Sequence, residues 1–329
     1  MYLKDFLPAL KYGAKIQSTE VLGLGLEIFA LNNVWYVDGD NGSDTYAGNL
    51  PEKPFATIQK GVTAAAEDGG IVYIKAKNMA AGATDPESYA ENIVIPAGSS
   101  RMALIGVSAN RTQGGLPQLK VGTTTTSPIL TVQAPGCLIA NLGFNGAGAT
   151  GGGILLDDDG STKSAFGTAI INNHFKNCKG STATSAKTGG AIQWASTGGA
   201  WQVLIKGNMF YKNVGDIVLL GTSAAVPQDV VIEDNIFSGP ADSVDCNLYL
   251  AGGSGMNGVY IRNNVFPVFP NLSSGATLLY ADLTGCVGIL AGNYFGTDKT
   301  FGAAGNGALV PTTVFLSGNY DEGGLIART

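Results

Sequence analysis

Three octapeptides, VLIKGNMF (Val203–Phe210), VVIEDNIF (Val230–Phe237) and VYIRNNVF (Val259–Phe266), repeat one phrase: apolar, any, apolar, two spacers, Asn, any, Phe. VGILAGNYF from Val287 and FLSGNY from Phe315 continue it, and TAIINNHF from Thr168 is a looser copy. The shared asparagines are Asn173, Asn208, Asn235, Asn264, Asn293 and Asn319, with steps of 35, 27, 29, 29 and 26 residues. A fixed period in this range marks a repeat architecture, in which one supersecondary unit stacks on the next.

Between these copies run short strand-like stretches: GILL from Gly153, AIQW from Ala191, IVLL from Ile217, NLYL from Asn247 and TLLY from Thr277. A βαβ array needs a helix of 10 to 12 residues in every crossover, and this period holds no helical pattern. Strand-only coils remain, paired in parallel so that each middle coil satisfies its backbone above and below. The expected fold is therefore all-β, a right-handed single-stranded parallel β-helix. Residues 71 to 320 give roughly nine coils and a rod of about 40 Å.

Each repeated Asn is expected at a corner between two coil faces, in the left-handed conformation that Asn tolerates best after Gly, bonded to its neighbours along the rod. The aromatics that follow (Phe175, Phe210, Phe237, Phe266, Phe295 and, one place early, Tyr320) are expected to stack inward. PFATIQKGVTAAAED, residues 54–68, has apolar residues near helical spacing, Pro54 suits a helix start, and Gly69-Gly70 stops it. This segment is expected to cap the first coil. The chain divides into an arm, residues 1–33, and a β-helix domain, residues 34–329. The arm carries Leu3, Phe6, Leu7 and Leu10 on one side and alternates Leu22, Leu24, Leu26 and Ile28 with small residues. It either attaches the rod to something else or folds back on the first coils.

The 329 residues are 45% hydrophobic and only 13% charged, and the 48 glycines call for many tight turns. A net charge of −6 with 19 scattered basic residues does not make a phosphate-binding field, so nucleic acid is disfavoured. No apolar run reaches the 18 residues or so of a membrane span. Asp5 and Pro8 interrupt what a secretion signal would need, so no cleaved signal is expected. Cys137, Cys178, Cys246 and Cys286 have no metal or disulfide spacing and are expected to be reduced core residues.

The stretch WYVDGDNGSDTYAGNLPEKPFATIQKGVTAA, Trp35 to Ala65, resembles the opening of pectate-lyase-like β-helix proteins. There a Y-V-D, G-S/N-D, P-F-x-T-I-Q phrase leads into a capping helix and the first coils. The resemblance implies the fold. Its members include polysaccharide lyases and hydrolases, epimerases, phage tailspikes and phage head-decoration proteins, so it leaves the activity open. It also implies a homotrimer.

Asp38, Asp40, Asn41 and Asp44 have the oxygen spacing of a calcium loop, or of a run of Asx turns; no other cofactor is indicated. Asp157-Asp158-Asp159, with Lys163 nearby, is an acidic cluster that reads equally as a solvated turn. Glu233 or Asp234 with Asp242 or Asp245 would make a glycosidase carboxyl pair. His174 is expected on a turn surface. Trp194, Trp201, Tyr249 and Tyr260 are expected to be exposed, for stacking on sugars or for a subunit contact. The leading expectation is a virion-surface structural protein of a tailed phage, a capsid decoration or spike subunit, trimeric, docked on capsid or tail through residues 1–33. Binding of cell-surface polysaccharide would accompany that role. The alternatives are a polysaccharide lyase or glycosidase and a non-catalytic glycan-binding solenoid.

Overall fold

The computed structural model describes residues 33–66, 69–107, 114–147, 150–160, 165–179, 190–194, 201–219, 226–238, 246–250, 256–266, 279–296 and 308–326. The arm, Lys163, Asp242 and Asp245 lie outside these residues.

The chain is a parallel β-helix. It visits three sheets in turn, of ten, eight and ten strands, and each strand pairs with its counterparts one coil earlier and one coil later. Sheet 1 begins with Val34–Val37 and Ile71–Lys75 and ends with Val314–Ser317; sheet 2 runs from Ser88–Ala90 to Gly324–Leu325; sheet 3 runs from Ile93–Ile95 to Ala308–Leu309. Strands of two to six residues suffice because each face needs only one or two inward side chains, and the sharp corners use the rest of the period. Among the described strands one pairing is antiparallel, Tyr320–Asp321 with Gly324–Leu325, a hairpin that folds the last edge of sheet 2 onto itself.

Stacking in register builds identical columns. In sheet 1 Val72, Leu104, Ile139, Ile170, Ile205 and Ile232 follow one another inward. In sheet 2 the inward column is Phe144, Phe175, Phe210, Phe237, Phe266 and Phe295, with ring centroids 4.6 to 5.1 Å apart and planes within 11° of parallel. That separation is the strand repeat itself, so the backbone sets the stacking distance. Tyr320 does not join the column. It is one place after its Asn rather than two, so it takes the outward register and is half exposed.

The asparagine corner differs in one respect from expectation. The left-handed residue is the one before each ladder Asn: Asn172, Gly207, Asp234, Asn263, Gly292 and Gly318 have φ between 55° and 65°. The ladder asparagines themselves are buried at this corner. Asn208 shows the pattern: its amide nitrogen donates to the Ile170 carbonyl (2.9 Å) and to Asn235 Oδ1 (3.1 Å), and its backbone N–H also donates to Asn235 Oδ1 (2.9 Å). The same three bonds recur at Asn173, Asn235, Asn264 and Asn293.

Helix α1, Ile58–Ala65, is shorter than the 54–68 expected from spacing, and it starts after Thr57, not at Pro54. Thr57 accepts from Lys60 N, while the Glu91 carboxylate accepts from Ile58 N and Gln59 N at 2.9 Å each. Side chains from outside the helix thus satisfy the free N–H groups of its first turn. Ile58, Val62 and Ala65 are fully buried against the first strands, closing the core at that end. The four cysteines are free and buried; burial pushes the thiols of Cys137 and Cys178 up to about 12 and that of Cys286 up to about 11.

Candidate functional site

In a β-helix the inward positions are core, so recognition must come from outward columns and corners. In sheet 1 the outward column alternating with the isoleucines ends in Val231, Tyr260, Ile289 and Phe315. In sheet 2 the outward column ends in Ile236, Val265, Tyr294 and Tyr320. The two columns flank the asparagine corner. Their side chains are exposed over the last coils, from about 40% at Ile289 to 72% at Phe315, with Leu325 of the terminal hairpin at 65%. Tyr260 thus sits where the sequence expectation put it, on the surface.

Between these columns lies an ion cluster. Lys206 Nζ donates to Glu233 Oε1 at 2.8 Å and approaches Asp234 at 3.4 Å, while Arg262 Nε donates to Glu233 Oε2 at 2.5 Å. Lys206, Glu233 and Arg262 are register partners on three successive coils, so the pleat alone aligns them. Burial works to raise the Glu233 pKa, but hydrogen bonds from Lys206 and Arg262 outweigh it and hold the carboxyl below its usual range. Both oxygens are engaged, which suits a structural clasp and not a glycosidase acid. The folded-state pKa lies below the unfolded one, so the stabilisation is full above the ordinary glutamate range and is lost as pH falls through the folded value. Glu233→Gln should lower stability by about 1 kcal/mol near pH 7, and the gap between the two urea midpoints should narrow as pH falls below the ordinary glutamate range. An unchanged gap at acid pH would mean that the clasp contributes nothing electrostatic.

The other candidates separate. Asp157 directly follows the sheet 3 strand Ile154–Leu156, half-buried, and burial raises its pKa; Asp158 accepts from Gly160 N at 2.7 Å, and Asp159 is exposed. Asp158 therefore forms an Asx turn. In the 38–44 loop each carboxylate serves different donors. Asp38 takes Lys75 (2.6 Å) and the Asp40 and Asn41 N–H groups, Asp40 takes Asn78 N, and Asp44 takes Ala56 N, Thr57 N and the Thr57 hydroxyl. The three do not converge on one centre, and no group of three His, Cys, Asp or Glu among the described residues could hold a metal ion.

Two aromatic and histidine expectations are corrected. Trp194 is buried at 4%, because in Ile192–Trp194 the first and third residues point inward and only Gln193 points out. His174 is buried too, as the outward residue of its sheet 2 strand beside the Asp85–Lys176 ion pair, and burial followed by the Lys176 charge lowers its pKa. Trp201 is exposed at the corner between sheets 3 and 1. With Phe166 one coil earlier and with Gln202, Gln228 and Asp229 it lines an open cavity of about 380 Å³. Gln202 and Asp229 there hold φ of 59° and 54°.

Tyr249 is half-buried on the outward face of sheet 3, paired with Asp282. Two acids on this face escaped sequence reasoning. Asp216 is buried and accepts from Asn213 Nδ2 (2.8 Å) and Asn247 Nδ2 (2.7 Å), and Asp282 is buried and accepts from Thr284 N and its hydroxyl. The available signal was a lone acid inside an apolar run, in GDIVL and LYAD.

No protein-family model and no curated protein matches this sequence. Solved structures do resemble it. The glycoside hydrolase family 136 lacto-N-biosidase from Eubacterium ramulus aligns with a TM-score of 0.54 at 10% identity, over 93% of this chain and 57% of the biosidase. The pectin methylesterase from Aspergillus niger gives 0.41 at 10% identity over 89% and 86%, and ORF18 of Geobacillus virus E2 gives 0.37 at 12% identity over 95% and 63%. The likeness is one of fold, and the chain spans just over half of the biosidase.

Proposed function

We propose that the chain is a structural rod of a tailed-phage particle, a decoration or spike subunit that assembles as a homotrimer through the flanks of its asparagine corner. The observation that carries this reading is the run of exposed apolar side chains over the last coils: Tyr260, Ile289 and Phe315 on one flank, Val265, Tyr294 and Tyr320 on the other. A solvated monomer rarely leaves large apolar side chains uncovered in rows, and these two rows run along the rod axis, where parallel copies can share them. The virion as its setting comes from the resemblance of residues 35–65.

Light scattering should give three times the chain mass. Tyr294→Glu combined with Phe315→Glu should weaken association by at least about tenfold with unchanged circular dichroism, since buried unpaired charge is costly at an interface. Purified particles of the encoding phage should contain the chain. A monomeric native protein, or its absence from those particles, overturns the proposal.

A second reading, glycan binding, is favoured by the Phe166–Trp201 cavity, where two aromatic faces sit beside amide and carboxylate acceptors. In a screen against bacterial polysaccharides, ligand should quench tryptophan fluorescence, and Trp201→Ala should weaken binding by about tenfold or more. Unsaturated uronate or new reducing ends would move the reading to an enzyme.

A further inference from the structure

One outward column of sheet 1 is apolar from Val34 to Phe315, yet its two ends differ. Near the start of the rod Val34, Ile71 and Leu138 occupy the same outward column as Tyr260, with Tyr73, Ile105, Ala140 and Ile171 in the outward column beside them. These seven form a hydrophobic cluster of their own, apart from the core, and each is at most 9% exposed. Farther along the column Tyr260 is 45% and Phe315 72% exposed. Side chains that point away from the core and are still shielded require a cover, and that cover stops about halfway along the rod.

The described hydrophobic residues packed with the cluster, Tyr36, Ala103, Ala169 and Leu204, are neighbours in the same sheet and cannot roof it. The long corner segment 76–87 leans the other way: Asp85 pairs with Lys176 on the outward face of sheet 2 and also accepts from Gly114 N. Helix α1 closes the core end, packing on Val37, Val72 and their inward neighbours. The 32 residues preceding Asn33 lead directly into Val34, the first member of the shielded column. Their apolar series, Leu3, Phe6, Leu7, Leu10, Leu22, Leu24, Leu26 and Ile28, supplies the kind of side chain such a cover needs. Six strands stack to only about 25 Å, which a segment of that length spans in either helical or extended form.

We propose that residues 1–32 lie over the outward face of sheet 1 across its first six strands and bury the cluster of Val34, Ile71, Tyr73, Ile105, Leu138 and Ile171. The arm is then a roof on its own rod, and any assembly contact falls to the uncovered last coils. This inference stands independently of the virion reading.

The test compares two single-cysteine variants of the full chain, Ile105→Cys and Tyr260→Cys, against a background of four buried native thiols. Ile105→Cys should react with a bulky maleimide at least about tenfold more slowly than Tyr260→Cys. Deleting residues 1–32 should bring the Ile105→Cys rate up to that of Tyr260→Cys and leave the latter unchanged. Slow labelling that persists in the folded truncated protein overturns the proposal, as does fast labelling in the full chain. Should the truncated chain fail to fold, a photoreactive residue placed at Ile105 in the full chain decides. Adducts to residues 1–32 within one chain support the proposal, and adducts elsewhere or to a second copy overturn it.

Discussion

Replacing Asn235 by alanine is expected to lower the unfolding free energy by about 3 to 5 kcal/mol, although the side chain touches no solvent and no ligand. Its Oδ1 accepts both Asn208 N–H (2.9 Å) and Asn208 Nδ2 (3.1 Å), and its Nδ2 donates to Ile205 O (3.0 Å) and Asn264 Oδ1 (3.0 Å). Alanine orphans the Asn208 backbone N–H and one of the two Asn208 amide hydrogens (the other keeps Ile170 O) and removes the bond to the Ile205 carbonyl, and each loss costs about 1 to 3 kcal/mol. Asn264 Oδ1 keeps the Asn235 backbone N–H, so damage runs mainly toward the earlier coil.

Asn235→Asp separates this account from simple loss of volume. It keeps the acceptor but turns the donor side into an oxygen facing two other oxygens in a buried site. Its carboxyl should titrate above the unfolded value, so this variant alone should regain stability as pH falls through its raised folded pKa. Urea denaturation read by circular dichroism and by tryptophan fluorescence measures both variants. A loss under 1 kcal/mol for Asn235→Ala would mean that water replaces the amide and the ladder is dispensable.

The parts of the fold that were legible in the sequence are those where every coil offers the same environment. Val203–Phe210 and Val230–Phe237 match because Ile205 meets Ile232 and Phe210 meets Phe237 at equal heights, so one residue type fits them all. The early coils escaped for a physical reason. In the first coil the corner between sheets 1 and 2 is opened into the segment 76–87, and two coils later Leu142 occupies the ladder position, where its N–H is capped by Asn173 Oδ1. Phe144 therefore starts the ring column with no asparagine to announce it.

The candidate site was less legible. Trp194 and Trp201 are equally aromatic, and only the pleat of Ile192–Trp194 sends the first inward. Glu233 looked like a free acid because its partners Lys206 and Arg262 lie 27 and 29 residues away and meet it through register alone. The contrast between a shielded Leu138 and an exposed Phe315 is invisible in composition, since both are apolar residues in outward positions.

Removing the ring of Phe237 should cost about 3 to 5 kcal/mol, comparable to the asparagine but by another route. The ring lies 4.9 Å from Phe210 and 4.7 Å from Phe266, with almost no exposure, so Phe237→Ala opens a cavity and breaks two stacked pairs at once. Phe144 heads the column, with Leu119 rather than a ring before it, so Phe144→Ala breaks one pair and should be milder by roughly 0.5 to 1.5 kcal/mol. Collapse cannot heal either site, because strand pairing in register fixes the coil spacing on both sides. In a solenoid each coil is held mainly by its two neighbours, so a weak middle interface also threatens cooperativity. Phe237→Ala should therefore broaden or split the denaturation curve, with backbone amides near residues 230 to 266 exchanging faster than those near residues 71 to 107, whereas Phe144→Ala should shift the midpoint with less broadening. A Phe237→Ala cost below about 1.5 kcal/mol, or uniform exchange along the rod, would mean that the column fills space without tying one coil to the next.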